Sequence, residues 1–549
     1  MNKNIVLGLD FGTTTTLIAK PGDSWPEVLQ LGESETWMPS AISTRDGISW
    51  LVGENAENAA LEEQFLSPKS LITFDEESIS NQLGITITRE KAITLILSEV
   101  KNRIEKKYPG LLGSGQIRIS CPAIWTGPQR FLLARLATEC GLVADVDEIL
   151  DEPISAGIAW WWDKNIKNKK KAEGKTLVFD LGGGTLDVAV LDVYNHEDRQ
   201  PQFTVLSARG TAIAGDKVDK AFADYVEDRL VNEEGYVLPI GQDLLYLRAV
   251  LRRSSKEAKE KLSRFPTIKF EVDKKYADLP SFTISRVDFE SKIFNPVLKS
   301  ALSCVQAALK EAAHKRPGAD LEKIKRMDVS EISSQINHVI LAGGMSQIPC
   351  IEVALNQLMP NAGIDYVTTK SEANEGIVLG IANSNDFENL NIHRPGFNFI
   401  LKWKERNGKS GEKIMYGAFT PLYTETDILL GKTELGFSSE IWIPDFDPAN
   451  NIVELCITSV GGRRVSLKSS ENKSGTSMQL QAFKNSKIDF KIYINGRIII
   501  EDAAGQETYR VKEWPYIRWG NFSKVEPEFI IEKKSWIPRN EEGYEGWRE

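Results

Sequence analysis

Cysteine is scarce and unpatterned in this 549-residue chain: Cys121, Cys140, Cys304, Cys350 and Cys456 lie far apart, with no CxxC spacing. An odd, scattered set fits reduced thiols and argues against a disulfide framework or a zinc site. No apolar run reaches the roughly eighteen residues that a membrane helix needs, so no membrane partner is expected. The opening MNKNIVLGLDFG meets Asp10 before a signal-peptide core can form, so the expected location is cytoplasmic. Positive charge is in deficit, and a formal net charge of −10 opposes generic attraction to nucleic acid. The densest basic run, Lys164 to Lys175, reads as a solvated loop, with a local binding patch as the alternative. No GxxxxGK[ST] accompanies the glycine turns, which excludes a Walker loop there.

What is present is a soluble globular composition, 41% hydrophobic and 26% charged, in a chain long enough for two to four domains. The stretch LVFDLGGGTLDVAVLDV (Leu177 to Val193) sets two apolar runs around a Gly-Gly-Gly-Thr turn, with Asp180 before the turn and Asp187 after it. Such glycines can close a hairpin or hold a ligand. The opening NIVLGLDFGTTTTLIAK repeats the design about 170 residues earlier, so an internal duplication into two α/β halves is expected. Helical spacing recurs at Gln129–Cys140, Val218–Leu230, Leu244–Leu262 and Phe289–His314, and His338–Met359 reads as strand, glycine turn and helix. After Ser384 the pattern becomes polar and then alternates in short runs such as KIDFKIYI and GRIIIED, the signature of a β domain with an Asn495-Gly496 hairpin turn.

Two facing acidic glycine-threonine hairpins can grip a triphosphate: backbone N–H groups and hydroxyls donate to phosphate oxygens, and aspartates hold magnesium through its water shell. In this respect the sequence resembles the actin-like ATPase superfamily, and within it the seventy-kilodalton heat-shock (DnaK-type) chaperones. GLDFGTTTT is similar to their first phosphate loop, VFDLGGGTLDV to the second and ILDEPISAGIAW to the connecting segment. CPAIWTGPQR, AGDKVDKAF, EAKEKLS, VILAGGMSQIPCI and NEGIVLGIA follow in the expected order over residues 5–384. The resemblance implies an α/β, two-lobed, duplicated actin-like (ribonuclease H-like) ATPase domain followed by a mainly β domain. The expected division is 1–384 for the ATPase domain, 385–396 for a polar linker, 397–525 for the β domain and 526–549 for a tail.

The cofactors implied are ATP or ADP with magnesium. Asp10 and Asp180 match the residues around the metal, Asp187 an acidic group that helps order the attacking water or ions, Glu152 a group near the metal's water shell, and Lys69 the lysine that orients or polarises the attacking water. Gly12, Thr13, Thr14, Gly182, Gly183, Gly184, Thr185, Gly215, Gly343, Gly344 and Asn374 match nucleotide contacts, and Lys259 and Ser263 match nucleoside contacts. Pro122 and Arg130 match a pair that relays between nucleotide and linker. Lys69 lies in a diverged stretch, where a surface lysine is the alternative. The base side departs from the family: Glu260 stands where an arginine stacks on adenine, Lys256 replaces a glutamate, Asn374 an aspartate, and Met345 and Gln347 alter the turn after Gly344.

The family joins its ATPase to a β domain that grips extended peptides, so a peptide or protein client and a co-chaperone or exchange partner are expected. The polar NSNDFENLNIHRPG replaces the family's apolar linker, and too few residues follow Val525 for its long helical lid. Three readings follow: an ATP-hydrolysing chaperone-like protein, an ATP-dependent interaction scaffold with little hydrolysis, and a small-molecule kinase of the same superfamily. The DEP segment and the β tail argue against the third. Trp160 to Trp162 read as a helix end packed on the core, and Trp536 and Trp547 as a tail folded on the β domain, with partner contacts as the alternative.

Overall fold

The computed structural model describes residues 5–22, 25–65, 67–198, 200–213, 215–315, 321–367, 375–391, 393–431, 436–442, 453–469, 474–480, 487–493, 497–502, 505–513, 517–518 and 528–533. Each glycine turn joins two apolar strands that bury their side chains, and each closes an antiparallel hairpin. In the first half, Ile5–Phe11 pairs antiparallel with Thr15–Lys20 and parallel with Gly115–Cys121. The sheet runs Leu150–Asp151, Gly115–Cys121, Ile5–Phe11, Thr15–Lys20, Glu27–Leu29. In the second half, Gly174–Leu181 pairs antiparallel with Leu186–Tyr194 and parallel with His338–Ala342. That sheet runs Gly363–Tyr366, His338–Ala342, Gly174–Leu181, Leu186–Tyr194, Gln202–Thr211. Strand for strand, these five-strand cores match in order and sense, which is the duplication read from the two glycine stretches.

Two helices join the lobes by crossing between them. Glu152–Trp162 packs on the second sheet, Gly376–Ala382 packs on the first, and the two helices pack on each other. Their approach requires glycine: a Cβ at Gly380 would run into the Ser155 carbonyl, and one at Gly8 would lie 2.8 Å from Val378 O. Trp160, Trp161 and Trp162 are buried at the end of the first of these helices. In the basic run that follows, Lys164 pairs with Asp365 at 2.6 Å and Lys171 with Glu173 at 2.7 Å.

The other helices fall near their expected positions, at Gly127–Glu139, Gly215–Asn232, Gln242–Arg264 and Asn295–His314. Gln129 Oε1 accepts from the Thr126 N–H at 2.9 Å at the start of the first, and Gly141 at φ 85° follows its end. The last is preceded by a π-helical turn, Phe289–Phe294. Between strand His338–Ala342 and helix Pro349–Leu358 a 3-10 turn, Gly344–Gln347, intervenes. Among the described residues, no helix is long and apolar enough to cross a membrane.

The polar segment after Ser384 carries a strand, Glu388–Asn391, that pairs parallel with Gln202–Val205 and extends the second sheet. Beyond it stand two sheets. One orders Ser410–Tyr416, Phe397–Lys404, Val453–Ser459 and Met478–Leu480; the other contains Gly436–Trp442, Lys487–Tyr493, Arg497–Asp502, Gly505–Glu513, Glu528–Lys533, Ser466–Ser469 and Ser474–Gly475. Alternation buries Phe399, Leu401, Ile488, Phe490 and Ile492, as period-two patterning requires. Lys487–Tyr493 and Arg497–Asp502 pair antiparallel across the Asn495-Gly496 position, which lies outside the described residues, as do Trp536 and Trp547. Glu528–Lys533, in the segment expected to be a tail, is an internal strand of the second of these sheets.

This β region rests on both lobes. The Gly127 N–H donates to Ala418 O at 2.9 Å, and Arg463 pairs with Asp145 at 3.0 Å on the first lobe. On the second lobe, Ser303 Oγ donates to Glu425 at 2.5 Å. Between them, His393 Nδ1 lies 2.6 Å from Glu311 Oε1.

Candidate functional site

The two glycine hairpins face each other between the lobes. They close with the same bond, Gly12 N–H to Thr15 O and Gly182 N–H to Thr185 O, each 3.0 Å. A Cβ on Gly183 would lie 2.6 Å from Thr14 Oγ1, and one on Gly184 would lie 2.5 Å from Thr13 Oγ1, so the threonines of one turn overlie the glycines of the other. The Asp216 N–H donates to Gly183 O at 2.8 Å, which places the start of helix Gly215–Asn232 against the second turn. Gly343, at φ 75°, sits so close that a Cβ there would be 2.5 Å from Asp180 Oδ1.

Beneath the turns lie Asp10, Glu152, Asp180 and Asp187, all buried. Asp10 accepts from Ser120 Oγ at 2.9 Å, and Asp187 accepts from the Ala123 N–H at 2.6 Å. Lys69 reaches into this acidic group from a turn at the start of helix Ser70–Thr73. Its Nζ is 2.7 Å from Glu152 Oε1 and 5.6 Å from the centre of the Trp125 ring, and its side chain is 3% exposed. The diverged stretch therefore brings a buried lysine to the carboxylates, and a surface position is ruled out for it.

Charge is unbalanced here. Burial, then repulsion from Glu152, pushes Asp10 up to about 7 and Asp187 up to about 8. Burial and the surrounding carboxylates raise Asp180 well above the usual carboxylate range. Burial works against the Lys69 charge, but Glu152 and Asp10 outweigh it and hold the ammonium above its ordinary range. Four carboxylates around one ammonium form a setting that a divalent cation suits. Among the described residues, no three His, Cys, Asp or Glu side chains converge to hold a metal directly.

On the far side of Gly215, Lys259 Nζ pairs with Asp219 at 2.6 Å, both buried, and stands 4.0 Å from Met345 Sδ. Ser263 Oγ donates back to Lys259 O at 3.2 Å, and Glu260 is exposed. Asn374 lies outside the described residues. Pro122 precedes Ala123, whose N–H serves Asp187 and whose carbonyl accepts from the Arg394 guanidinium. Arg130 pairs with Asp151, donates to Trp125 O at 3.0 Å, and lies 3.8 Å from the centre of the Phe419 ring.

Several contributors were not singled out from sequence. Ser120, Trp125, Asp219 and Ala123 act on the expected residues through contacts that spacing does not reveal. The lobes are also bridged by Ser67 Oγ to Asp216 and by Thr36 Oγ1 to Glu375 at 2.8 Å. AGDKVDKAF carried the one available signal, since Asp219 falls one helical turn after Gly215.

Two sheets of matching topology, crossed helices and apposed acidic hairpins define the actin-like ATPase fold, followed here by a β-rich region. A family model described as Hsp70 protein matches residues 6–382, and the chain belongs to the Hsp70 family. It is 27% identical over 397 residues to "Chaperone protein DnaK" of Thermoplasma volcanium, an alignment covering 69% of this chain and 57% of that protein. The chain thus spans little more than half the length of that relative.

Proposed function

We propose that this chain binds ATP with magnesium between its two hairpins, hydrolyses it, and uses nucleotide state to control the hold of its β region on a peptide or protein client. The observation that carries the reading is the group of four buried carboxylates around Lys69, directly beneath two apposed glycine-threonine turns. Residues 1–384 would form the nucleotide unit, with residues from 397 onward forming the client unit.

The turns at Gly12–Thr14 and Gly182–Thr185 supply N–H groups and hydroxyls to the β- and γ-phosphates. Asp10 and Asp180 would hold magnesium through its waters, and the ion, when bound, would supply positive charge to the phosphate oxygens. Lys69, released in part from Glu152, orients the attacking water and stabilises charge that develops on the transferring group; Asp187 and Glu152 hold that water in line. Asp187 also reports outward, because Ala123 joins it to Arg394 and to the ring of Phe419 in the β region.

A second reading, a scaffold that binds ATP and hydrolyses little, is favoured by Lys69 lying locked on Glu152. Magnesium-dependent phosphate release, measured with and without a library of extended peptides, tests the proposal. Turnover that changes with peptide supports the chaperone-like reading; ATP binding with no turnover moves the scaffold ahead.

A further inference from the structure

We propose that segment 385–396 fastens the β region to the second lobe, so that the β region slides over the first lobe as the cleft opens and closes, the sliding resting on the nucleotide reading above. The buried apolar side chains carry this division. Those of the second lobe and the β region form one continuous cluster, which runs from Phe179 in the second sheet through Leu309 to Ile428, Phe399 and Phe490. At that junction helix Glu425–Leu429 packs on helix Asn295–His314. First-lobe side chains from Leu7 to Ile149 form a separate cluster, which no described side chain of the β region joins. Units that share an apolar core move together, whereas small polar contacts leave them free to move.

The connecting segment is pinned to the second lobe near both of its ends. Phe387 is wholly buried, its ring centre 4.9 Å from that of Phe203 and 5.1 Å from that of Trp161. Glu388–Asn391 then lies between Gln202–Thr211 and Ile517–Arg518, so the second sheet continues through the segment into the β region. Further on, the His393 carbonyl accepts from Lys315 Nζ at 3.0 Å, and its Nδ1 stands 2.6 Å from Glu311 Oε1. Glu311 and Lys315 are buried, and Glu311 also pairs with Arg209 of the second sheet at 2.8 Å. A segment held by a buried ring, a ladder on both edges and an ionic cluster resists the backbone rotations that a hinge absorbs.

Contacts with the first lobe are of another kind. The Gly127 N–H donates to Ala418 O, the Arg394 guanidinium donates to Ala123 O, Arg118 donates to Asn385 Oδ1, the Phe419 ring lies on Arg130, and half-exposed Arg463 pairs with Asp145. Such bonds can be exchanged one at a time. Two lobes close on a ligand by rotating as bodies, and the β region, carried by the second lobe, then changes its place on the first.

The test is pulsed dipolar distance measurement on the full chain, with spin labels on noncanonical residues at Val143, Tyr194 and Ile414, which are exposed on the first lobe, the second lobe and the β region. The Tyr194–Ile414 distance is expected to stay within about 2 Å in the ligand-free, magnesium-ADP and magnesium-ATP states, while Val143–Ile414 shifts by more than that on ATP. In the ligand-free chain, Phe387→Ala combined with His393→Ala should broaden the Tyr194–Ile414 distribution. A Tyr194–Ile414 distance that moves by more than about 2 Å between states overturns the proposal from the parent alone, whether or not the double variant folds. A Val143–Ile414 distance that stays fixed while ATP is bound also overturns it, since the β region would then be fastened to both lobes. A distribution in the double variant as narrow as in the parent does so too, by moving the fastening off this segment. Failure of ATP to bind would overturn the nucleotide reading and the sliding with it, and the ligand-free double variant would still decide the fastening.

Discussion

Asp180 and Asp187 stand directly opposite each other in the antiparallel register of the second hairpin, both buried, one on each side of the glycine turn. Like charges placed in this way destabilise a folded chain unless protons or a cation neutralise them. The arrangement stores repulsion where a polyphosphate and its counter-ion are proposed to bind.

A pH dependence follows. Unfolded aspartates ionise near 3.8, whereas folded Asp10 and Asp187 keep their protons up to about 7 and about 8. Across that window the folded state binds more protons than the unfolded one, so this contribution to stability falls as pH rises. Metal-free thermal unfolding should show Tm declining between about pH 5 and about pH 8, with Asp10→Asn or Asp187→Asn flattening the decline. Equal slopes in parent and variants would contradict the charge assignment.

Lys69 is expected to separate hydrolysis from binding. Removing a group that acts on transition-state charge costs roughly 2.7 to 4 kcal/mol of barrier, about a hundredfold or more in rate. Lys69→Ala should therefore lose single-turnover hydrolysis to that extent with little change in ATP affinity. It also leaves Glu152 buried without its cation, so a loss of stability should accompany it, and Lys69→Ala with Glu152→Gln should recover the stability but not the rate. Unaltered hydrolysis in Lys69→Ala would remove the residue from the mechanism.

The contact between the β region and the first lobe should be breakable at two points. Phe419, at φ 60°, presents its ring to Arg130, and Arg463 pairs with Asp145 and Asp147. The ring contact is worth about 0.5 to 2 kcal/mol and the half-exposed ion pairs less than about 1 kcal/mol. Phe419→Ala combined with Arg463→Ala should speed hydrogen exchange at the Gly127 amide, which bonds Ala418 O. Unchanged protection there would mean that other contacts hold the region in place.

The hairpins were legible in the sequence because Gly-Thr turns between apolar strands carry their signal locally, and their repetition gave the duplication. Lys69 was traceable only through a short match, since the flanking residues of its turn differ from the family while the buried position remains. Strand Glu388–Asn391, which lies between Gln202–Thr211 and Ile517–Arg518, was hidden because strand pairing uses backbone groups and needs no apolar side chains, so a polar segment read as linker. Ala123 gave no sign of its role, for it contributes only an N–H and a carbonyl. Met345 was visible as a departure at the turn, but its inward direction depends on packing against Gly215, far away in sequence.

Equilibrium ATP binding with and without magnesium in the parent, Asp10→Asn and Asp180→Asn probes the proposed site between the hairpins. Magnesium should strengthen binding in the parent, and that strengthening should be lost in both variants. Parent binding that is indifferent to magnesium, or variants that respond to it as the parent does, would contradict the metal–nucleotide site between the hairpins.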